Sequence, residues 1–384
     1  MKVMSFRTIS EATIRKGTRV IIRADFDVAI KSGKIQDEFR IRKVMPTVRY
    51  VLKRSGKVRL IAHLGRPKGK INQALSLKPI AGLLGKILQK NIILISDPFD
   101  PKAFRKYDDS PEILLFENLR FWRGEEENSS PFAENLACWA DMYVNEAFAS
   151  SHRAHASMVG LPKLLSSYAG LQLASEIKHL EFLSRKAQRP LVVVIGGIKL
   201  ETKLPLVKRF LKEADQILVG GGVANSIFHA MGMETGRSKT DVLRDKSILR
   251  SKKLCFPLDV ITTTSLTSRS GRVTKIEKTQ KDEYIVDIGP ETIRLFSSLV
   301  KNARSIFWNG PLGFTPNFSN GTNQLARTLA RSSAFKVIGG GDTLAALKRL
   351  KLPLKFFGHV STGGGSMLEM LAGEKLPGIE ILKR

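Results

Sequence analysis

The sequence predicts an α/β protein of two Rossmann-like lobes, each built on a parallel sheet and joined by an interdomain helix and hinge. Three observations favour this fold: short apolar runs alternate with amphipathic patterns, each run ends in polar or glycine-rich residues, and the type of ending changes in the second half. Strands that alternate with helices indicate βαβ units and parallel sheets. The length of 384 residues is enough for two or three domains with large cores.

Four apolar runs in the first half have the character of buried strands. The predicted strands cover 19–26, 57–64, 112–119 and 141–148, and the predicted helices include 40–56 and 76–90. In an open parallel sheet, ligands bind outside the carboxyl ends of the strands. Polar side chains follow these runs, and we therefore expect one crevice to receive Asp25, His63, Arg120 and Arg153.

Glycines stand at or just after the apolar runs of the second half. These runs cover 190–199, 216–225, 305–313, 335–343 and 359–366. Glycine allows backbone N–H groups to approach a phosphate closely, and the N-terminus of a following helix favours negative charge. Tight loops without a ligand are the alternative explanation, which their repetition disfavours. The chain has no G-x-x-x-x-G-K-[ST] motif and no G-x-G-x-x-G that opens a helix, so a P-loop protein is excluded and a dinucleotide-binding fold is disfavoured.

The same patterns divide the chain. A helical pattern at 170–190 places Leu173, Ile177 and Leu180 on one face and ends before Pro190. We expect this helix to join two lobes that each carry a ligand. The predicted boundaries are 1–168 for the first lobe, 169–188 for the interdomain helix and 189–370 for the second lobe.

The two halves carry different chemistry. The arginines and histidines of the first half suit a small polyanion, because guanidinium groups form forked hydrogen bonds with phosphates and carboxylates. Lys199, Lys203 and Asp342 stand among the glycine loops of the second half and suit a nucleotide with Mg²⁺. Together they predict a phosphotransferase that acts on a small molecule.

Composition narrows the class of protein further. Hydrophobic residues make up 42% and charged residues 26%, which is typical of a globular chain. The net charge of +28 is spread along the sequence, which favours a generally basic surface over a nucleic-acid partner. Cys138 and Cys255 form neither a metal spacing nor a disulfide framework, so we expect a reducing, cytoplasmic location. The first residues lack the apolar stretch of a secretion signal, and no apolar run reaches the length of about 18 residues that a membrane span needs.

Motifs along the whole chain match one enzyme family in order and, almost throughout, in spacing. They read RADFDV, DEFRIRKVMPT, AHLGRPKG, LLFENLRFWRGEEEN, YVNEAFASSHRAHAS, VVIGGIKLETK, LVGGGVAN, DIGPET, FWNGPLG, IGGGDT and HVSTGGGSMLEMLAGEKLPG. By these motifs the chain resembles the phosphoglycerate kinases. The resemblance implies reversible transfer of the acyl phosphate of 1,3-bisphosphoglycerate to Mg-ADP, giving 3-phosphoglycerate and ATP, a step of glycolysis and gluconeogenesis. It also implies that the tail, 371–384, packs back on the first lobe.

The resemblance assigns the phosphoglycerate to the first lobe. It implies a substrate site made of Asp25, Asp27, Arg40, His63, Arg66, Arg120 and Arg153. The last three arginines of this set would bind the phosphate, and His63 would line the pocket. Arg40 would contact the carboxyl side and the phosphoryl group in transfer, while Asp25 would bind the glycerate hydroxyl. His152 and His155 are interpreted as loop support, since an H-x-x-H metal site lacks a third ligand nearby.

The resemblance assigns the nucleotide to the second lobe. Lys199 would stabilise the transferring group, Lys203 would contact the nucleotide phosphates, and Asp342 would hold Mg²⁺. Thr343 would touch the phosphates. Glycine amides would face the phosphoryl oxygens or the nucleotide, and other residues would wall the adenosine; these are Gly340, Gly364, Gly197, Gly341, Gly221, Asn309 and Pro311. Arg40 and Lys199 would act together on lobe closure, which also excludes water.

Three positions depart from the family pattern. Asp27 replaces an asparagine and places a carboxylate beside an anionic substrate, a repulsion of about 2–3 kcal/mol at about 6 Å and a dielectric of about 20, which a neighbouring arginine can cancel. Pro316 stands in a shortened loop where a glutamate that holds the ribose is expected. Ile198 stands where the family usually has an alanine, and we expect it to crowd the nucleotide phosphates.

Two alternatives stay open at this point. One is a catalytically impaired nucleotide-binding homologue, because of Asp27 and Pro316. The other is a basic nucleic-acid-binding protein on the same fold, which an aromatic content of 7% weakens. For the kinase we expect a monomer with no membrane and no specific nucleic-acid partner.

Overall fold

The computed structural model describes residues 5–383, and they divide into two compact units. The first unit runs to Lys178 and takes up the chain again from Lys375, and the second unit covers His179–Glu374. The predicted limits at residues 1 and 384 lie outside the described residues. The division falls inside a helix and not at its end, and the tail joins the first unit from 375, a few residues later than 371.

The first unit is a parallel sheet covered by helices. Its elements, in chain order, are β1 (Arg19–Arg23), β2 (Ile30–Lys31), β3 (Lys34–Ile35), α1 (Phe39–Lys53), β4 (Lys57–Ile61), α2 (Lys78–Leu88), β5 (Ile92–Ile95), α3 (Pro101–Tyr107), β6 (Ile113–Phe116), α4 (Arg123–Glu126), α5 (Ser130–Ala137), β7 (Met142–Asn145), α6 (Leu161–Leu164), β8 (Ser166–Ala169) and α7 (Leu171–Arg185). The strand order is β5-β6-β4-β1-β7-β8, with parallel pairing throughout. β2 and β3 form a separate hairpin. Val20, Ile21 and Ile22 are all buried, as expected of a central strand covered on both faces.

The second unit repeats the architecture with one addition. Its elements are β9 (Leu191–Ile195), α8 (Leu204–Glu213), β10 (Gln216–Val219), α9 (Gly221–Ala230), β11 (Leu254–Cys255), β12 (Val260–Thr263), β13 (Arg272–Thr274), β14 (Tyr284–Ile288), α10 (Pro290–Asn302), β15 (Ser305–Asn309), α11 (Asn320–Arg331), β16 (Phe335–Gly339), α12 (Gly341–Arg349), β17 (His359–Val360) and α13 (Gly364–Ala372). The main sheet has the parallel order β11-β10-β9-β15-β16-β17. The addition is a small antiparallel sheet, β13-β12-β14.

The predicted fold class is confirmed, with local differences. The structure has two sheets of parallel strands, but each strand is shorter than its apolar run, because the last residues of the run already form the ligand-facing turn. The sequence reading missed the β2–β3 hairpin, β5, β8, β11 and the antiparallel sheet β13-β12-β14. β8 reads Ser-Ser-Tyr-Ala and is largely half-buried, so it lacks the continuous apolar run of a central strand.

The C-terminal segment packs on the first unit. It forms the short helix α14 (Pro377–Glu380). The backbone N–H of Gly378 donates to the carbonyl of Ser151 at 2.9 Å, and the Gly378 carbonyl accepts from Asn145 Nδ2 at 2.9 Å. A Cβ at Gly378 would stand 3.1 Å from the Ser151 Cα, so this close approach favours glycine. The tail therefore fastens the loop that follows β7.

Helix α7 begins on a buried carboxylate. Glu146 accepts hydrogen bonds from the backbone N–H groups of Gln172 and Leu173 at 3.1 and 2.8 Å, and Thr47 Oγ1 accepts from Leu171 N at 2.9 Å. These contacts satisfy N–H groups that a helix leaves unpaired at its start. Burial raises the pKa of Glu146 to about 7. Among residues 5–383, no helix is both long and apolar enough to cross a membrane.

Candidate active site

A buried arginine organises the carboxyl edge of the first sheet. Arg23, the last residue of β1, is fully buried and donates from Nη2 to His63 Nδ1 at 3.0 Å and from Nε to Ser157 Oγ at 2.8 Å. Ser157 in turn donates to Glu125, from its Oγ at 2.6 Å and from its backbone N–H at 2.9 Å. Four distant segments of the chain thus meet at one point. The sequence reading missed Arg23, Glu125 and Ser157, since nothing in their local pattern separates them from strand or helix residues.

The histidines of this edge are held neutral. Burial lowers the pKa of His63 well below its usual range, and the charge of Arg23 lowers it further. Burial and the neighbouring Arg120 lower the pKa of His155 to about 4. His155 Nδ1 lies 3.9 Å from Glu125 Oε1. At neutral pH the positive charge of this edge therefore comes from its arginines.

A carboxylate without a hydrogen-bond partner lies among these cations. Asp25 is 2% exposed, and neither of its oxygens has a hydrogen-bond partner among the described residues. Burial raises the pKa of Asp25, and the charge of Arg40, whose Nη1 lies 3.7 Å from Oδ1, opposes that shift. A buried carboxylate of this kind is costly unless a donor arrives. Asp25 is therefore prepared to accept a hydroxyl or amide donor from a ligand.

The other arginines predicted for the phosphate differ in burial and contacts. Arg120 is buried and donates from Nη1 to the Gly65 carbonyl at 2.8 Å. Burial and the charge of Arg23 lower the pKa of Arg120. Arg66 and Arg153 are exposed, and no side-chain hydrogen bond or ion pair of either is found among residues 5–383. Their guanidinium groups are available to an anion.

The glycine turns of the second unit surround two adjoining cavities. The first, called the lysine cavity, has a volume of about 330 Å³ and is lined by residues that include Gly197, Ile198, Lys199, Lys203, Asn309, Gly340, Gly341, Asp342, Thr343 and Gly364. The second, called the tyrosine cavity, has a volume of about 390 Å³ and is lined by residues that include Gly197, Ile198, Gly221, Arg237, Leu266, Tyr284, Pro311, Phe314, Thr315 and Asp342. Gly197, Ile198 and Asp342 line both. All the predicted nucleotide residues line one cavity or the other, and Asn309 lies in the lysine cavity although the sequence reading placed it at the adenosine.

The lysine cavity combines cations, amides and one carboxylate. Lys203 donates from Nζ to Asn309 Oδ1, and burial lowers the pKa of Lys203 to about 8 against the opposing charge of Asp342. Asn309 is buried, and its Nδ2 has no hydrogen-bond partner among the described residues. Lys199 and Asp342 are exposed. This combination suits a chain of phosphates.

Two glycines and a threonine shape the wall of the lysine cavity. Gly310 has a φ of +94°, and a Cβ there would stand 2.2 Å from the Gly196 carbonyl, so only glycine fits between the two turns. Thr343 Oγ1 accepts a hydrogen bond from the Gly310 N–H at 2.7 Å. Gly340, with a φ of +97°, precedes α12 and leaves the N-terminus of that helix open to the cavity. The helix N-terminus favours an anion there.

The departures at Ile198 and Pro316 both concern these cavities. Ile198 is 55% exposed, and its backbone lies so close to Gly222 that a Cβ at Gly222 would stand 2.6 Å from the Ile198 carbonyl. Thr315 lines the tyrosine cavity, and Pro316 is exposed beside it. Asn317 donates from Nδ2 to the Leu266 carbonyl at 3.0 Å, so its amide N–H holds a neighbouring segment.

The acidic residues fit a metal that arrives with a ligand. Among residues 5–383 no cluster of three or more His, Cys, Asp or Glu residues could hold a metal ion. Mg²⁺ usually binds through one or two carboxylates together with substrate phosphates. A single exposed carboxylate, Asp342, beside a cavity suited to phosphates therefore fits Mg²⁺ bound to a nucleotide.

Comparisons with known proteins agree over nearly the whole chain. The sequence model of the family described as phosphoglycerate kinase matches residues 10–374. A phosphoglycerate kinase of Thermomicrobium roseum is 38% identical over 389 residues, which cover 98% of this chain and 99% of the relative. One of Syntrophobacter fumaroxidans is 40% identical over 393 residues, with 98% of each chain covered.

Two solved structures are similar to this chain over almost its full length. The phosphoglycerate kinase of Coxiella burnetii superposes with a TM-score of 0.84 at 36% identity, and that of Pyrococcus horikoshii with 0.86 at 28% identity; each comparison covers 98% of both chains. No finding supports either alternative considered from the sequence. The matches confirm the predicted fold class and enzyme class: the chain belongs to the phosphoglycerate kinase family.

Proposed function

We propose that the first unit binds 3-phosphoglycerate or 1,3-bisphosphoglycerate, that the second binds Mg-ADP or Mg-ATP, and that the enzyme moves the acyl phosphate between them. The observation that carries this assignment is Asp25, a buried carboxylate without a hydrogen-bond partner in a group of arginines. A small ligand that donates a hydrogen bond to Asp25 and pairs with the arginines must carry a hydroxyl group and several negative charges. A phosphorylated hydroxy acid has this composition.

Different residues of the first unit contact the phosphate, the hydroxyl and the carboxyl group of the phosphoglycerate. Arg66, Arg120 and Arg153 bind its phosphate through forked, charge-assisted hydrogen bonds. Asp25 accepts the hydrogen bond of the glycerate hydroxyl, and Arg40, 3.7 Å from Asp25, is placed to contact the carboxyl group that receives or gives the phosphoryl group. His63 is held neutral and lines the site without adding charge.

Each of the two cavities binds a different part of the nucleotide. The lysine cavity takes the phosphates, with Lys203 and the Asn309 amide as side-chain donors and the amides of Gly340, Gly341 and Gly364 at the turns. The tyrosine cavity takes the nucleoside between Gly221, Pro311 and their neighbours. Asp342 would hold Mg²⁺, which neutralises phosphate charge when it is bound.

Phosphoryl transfer requires little covalent chemistry from the protein. It requires an in-line arrangement of the attacking and leaving oxygens and positive charge on the equatorial oxygens. Arg40 and Lys199, together with the Gly340 and Gly364 amides, are the groups assigned to those oxygens. A cytoplasmic location and a monomeric state complete the proposal; both follow from the sequence expectations above.

A coupled assay with 3-phosphoglycerate, ATP and Mg²⁺ tests the proposal, and Asp25→Asn tests its central residue. This isosteric variant should raise the KM for 3-phosphoglycerate by about tenfold to a hundredfold, because a charged acceptor of the hydroxyl is lost, and leave the KM for ATP unchanged. Lys301→Ala, at an exposed position of α10, is the matched control and should change neither constant. A wild-type protein without turnover, or an Asp25→Asn effect on ATP alone, would contradict the assignment.

A further inference from the structure

The turn after β4 is held at one residue, Gly65, through hydrogen bonds to the peptide on each side of it. The Gly65 N–H donates to Asp27 Oδ1 at 2.9 Å, and the Gly65 carbonyl accepts from Arg120 Nη1 at 2.8 Å. Arg66, an exposed arginine of the proposed phosphate site, is the next residue in the chain. The direction of the Arg66 side chain therefore depends on how the Gly65 peptide is fixed.

Gly65 has no side chain that could hold the turn in one conformation. Its φ is +61°, and a Cβ there would stand 2.9 Å from Leu75 Cδ2, so both the conformation and the space favour glycine. A glycine in a turn loses much conformational freedom when it is ordered. The hydrogen bond to Asp27 Oδ1 is thus the contact that orders the N–H side of this turn.

The charge of Asp27 acts on the same group of residues. Its Oδ2 lies 3.7 Å from His63 Nε2, which is neutral at physiological pH, so no ion pair cancels the charge there. Arg40 donates from Nη1 to the Asp27 backbone carbonyl at 3.0 Å and not to the carboxylate. The Asp27 side chain is 42% exposed. The charge of Asp27 also acts on Arg120, whose pKa it raises, so this arginine offsets part of it. The rest of the negative charge remains beside a site whose proposed ligand is an anion.

We propose that Asp27 is a positioning residue with two separable effects on the acceptor site. Its Oδ1 orders the Gly65–Arg66 turn for phosphate binding, and its negative charge lowers the affinity of the site for the phosphorylated acid. This inference rests on the proposed function. It assigns to one side chain a favourable geometric effect and an unfavourable electrostatic one.

Two substitutions separate the effects. Asp27→Asn retains an oxygen that can accept from the Gly65 N–H and removes the charge, whereas Asp27→Ala removes both. At low ionic strength Asp27→Asn should bind 3-phosphoglycerate about five- to tenfold more tightly than the wild type, and the gain should shrink as salt screens the charge. Asp27→Ala should bind about tenfold more weakly than Asp27→Asn, because one ordering hydrogen bond is lost. The KM for ATP should stay the same in all three proteins.

A second background shows whether Asp27 acts through Arg66. When Arg66→Ala is already present, the difference in affinity between Asp27→Asn and Asp27→Ala should fall to less than about half, because interacting residues are not additive. A general loss of folding would leave that difference intact. If Asp27→Ala does not fold, Asp27→Ser takes its place, since a serine hydroxyl is too short to reproduce the carboxylate contact.

The outcomes are distinct from those of the proposed function. Turnover of 3-phosphoglycerate by the wild type tests the function, while calorimetric binding of inorganic phosphate to each variant tests Asp27 even in a protein without turnover. Tighter binding by Asp27→Asn, together with weaker binding by Asp27→Ala than by Asp27→Asn, supports the inference. Equal or weaker binding by Asp27→Asn overturns the charge effect, and equal binding by the two variants overturns the ordering effect.

Discussion

The two units offer different chemical groups to the anions proposed to bind them. In the first unit, charged side chains at the strand ends are fixed by buried contacts such as those of Arg23 with His63 and Ser157. In the second unit, glycine turns line the cavities together with charged side chains such as Lys199, Lys203 and Asp342. The first unit is accordingly sensitive to the identity of its side chains, and the second to the space around its backbone.

The difference follows from the proposed ligands. A phosphoglycerate is small, so each of its groups must be met by a specific side chain with a forked or charged hydrogen bond. A nucleotide presents an extended chain of phosphates, which several backbone N–H groups can contact at once. The buried network under the first site supplies the rigidity that backbone turns supply in the second.

The largest effect should come from removing Lys199, an exposed lysine of the lysine cavity. Lys199→Ala should lower kcat by about a hundredfold or more, because a cation that acts only on the transferring group is lost, and leave ADP affinity nearly unchanged. Single-turnover and equilibrium binding measurements with ADP check the two halves of this statement. A variant that loses nucleotide affinity but keeps its turnover at saturation would assign Lys199 to binding and not to transfer.

Much of this comparison could be predicted from the sequence, because strand ends can be located without knowledge of the fold. The strands before Asp25, His63 and Arg120 lie where the apolar runs predict them, although each strand ends a few residues early, and Arg120 lies close enough to His63 for its charge to lower the pKa of that histidine. The glycine turns were predictable for the same reason. Arg23 and Glu125 were not, because their importance arises only from long-range contacts with Ser157.

The next effect tests Arg153, one of the arginines assigned to the phosphate in the first unit. Arg153→Ala should weaken 3-phosphoglycerate binding by about 2–3 kcal/mol, because a phosphate loses a charge-assisted fork. Arg153→Lys, which keeps the charge but not the fork, should recover only part of that loss. Calorimetry with 3-phosphoglycerate and with ATP measures both proteins. Equal losses for the two ligands would place Arg153 outside the acceptor site.

A smaller effect concerns Lys203, a half-buried cation of the lysine cavity. Because burial lowers the pKa of Lys203 to about 8, this group loses its positive charge as the pH rises through that value. The KM for ATP should therefore rise by about tenfold between pH 7 and pH 9, since only the charged form attracts the phosphates. Lys203→Arg stays charged over this range and should remove the dependence. A flat wild-type profile would show that Lys203 keeps its proton.

The boundaries of the nucleoside site were less predictable, and the reason is local geometry. The sequence placed the departure at Pro316, but the structure turns Thr315 toward the tyrosine cavity and leaves Pro316 exposed. It also uses the Asn317 amide N–H to hold Leu266. Sequence position alone does not show which of two neighbouring loop residues faces a cavity.

The smallest effect tests how the nucleoside is held. Among the described residues that line the tyrosine cavity, Asp342 is the only acid, so no second carboxylate is available there for the ribose hydroxyls. Discrimination should then rest on neutral hydrogen bonds worth about 0.5–1.5 kcal/mol each, and kcat/KM for dATP should lie within about tenfold of that for ATP. Thr315→Glu should restore a preference for ATP, whereas Pro316→Glu, at the exposed neighbouring position, should do so less. Steady-state kinetics with both nucleotides on all three proteins decides the matter. A wild-type preference for ATP beyond about a hundredfold would mean that another group already binds the ribose, since that ratio exceeds a single neutral hydrogen bond.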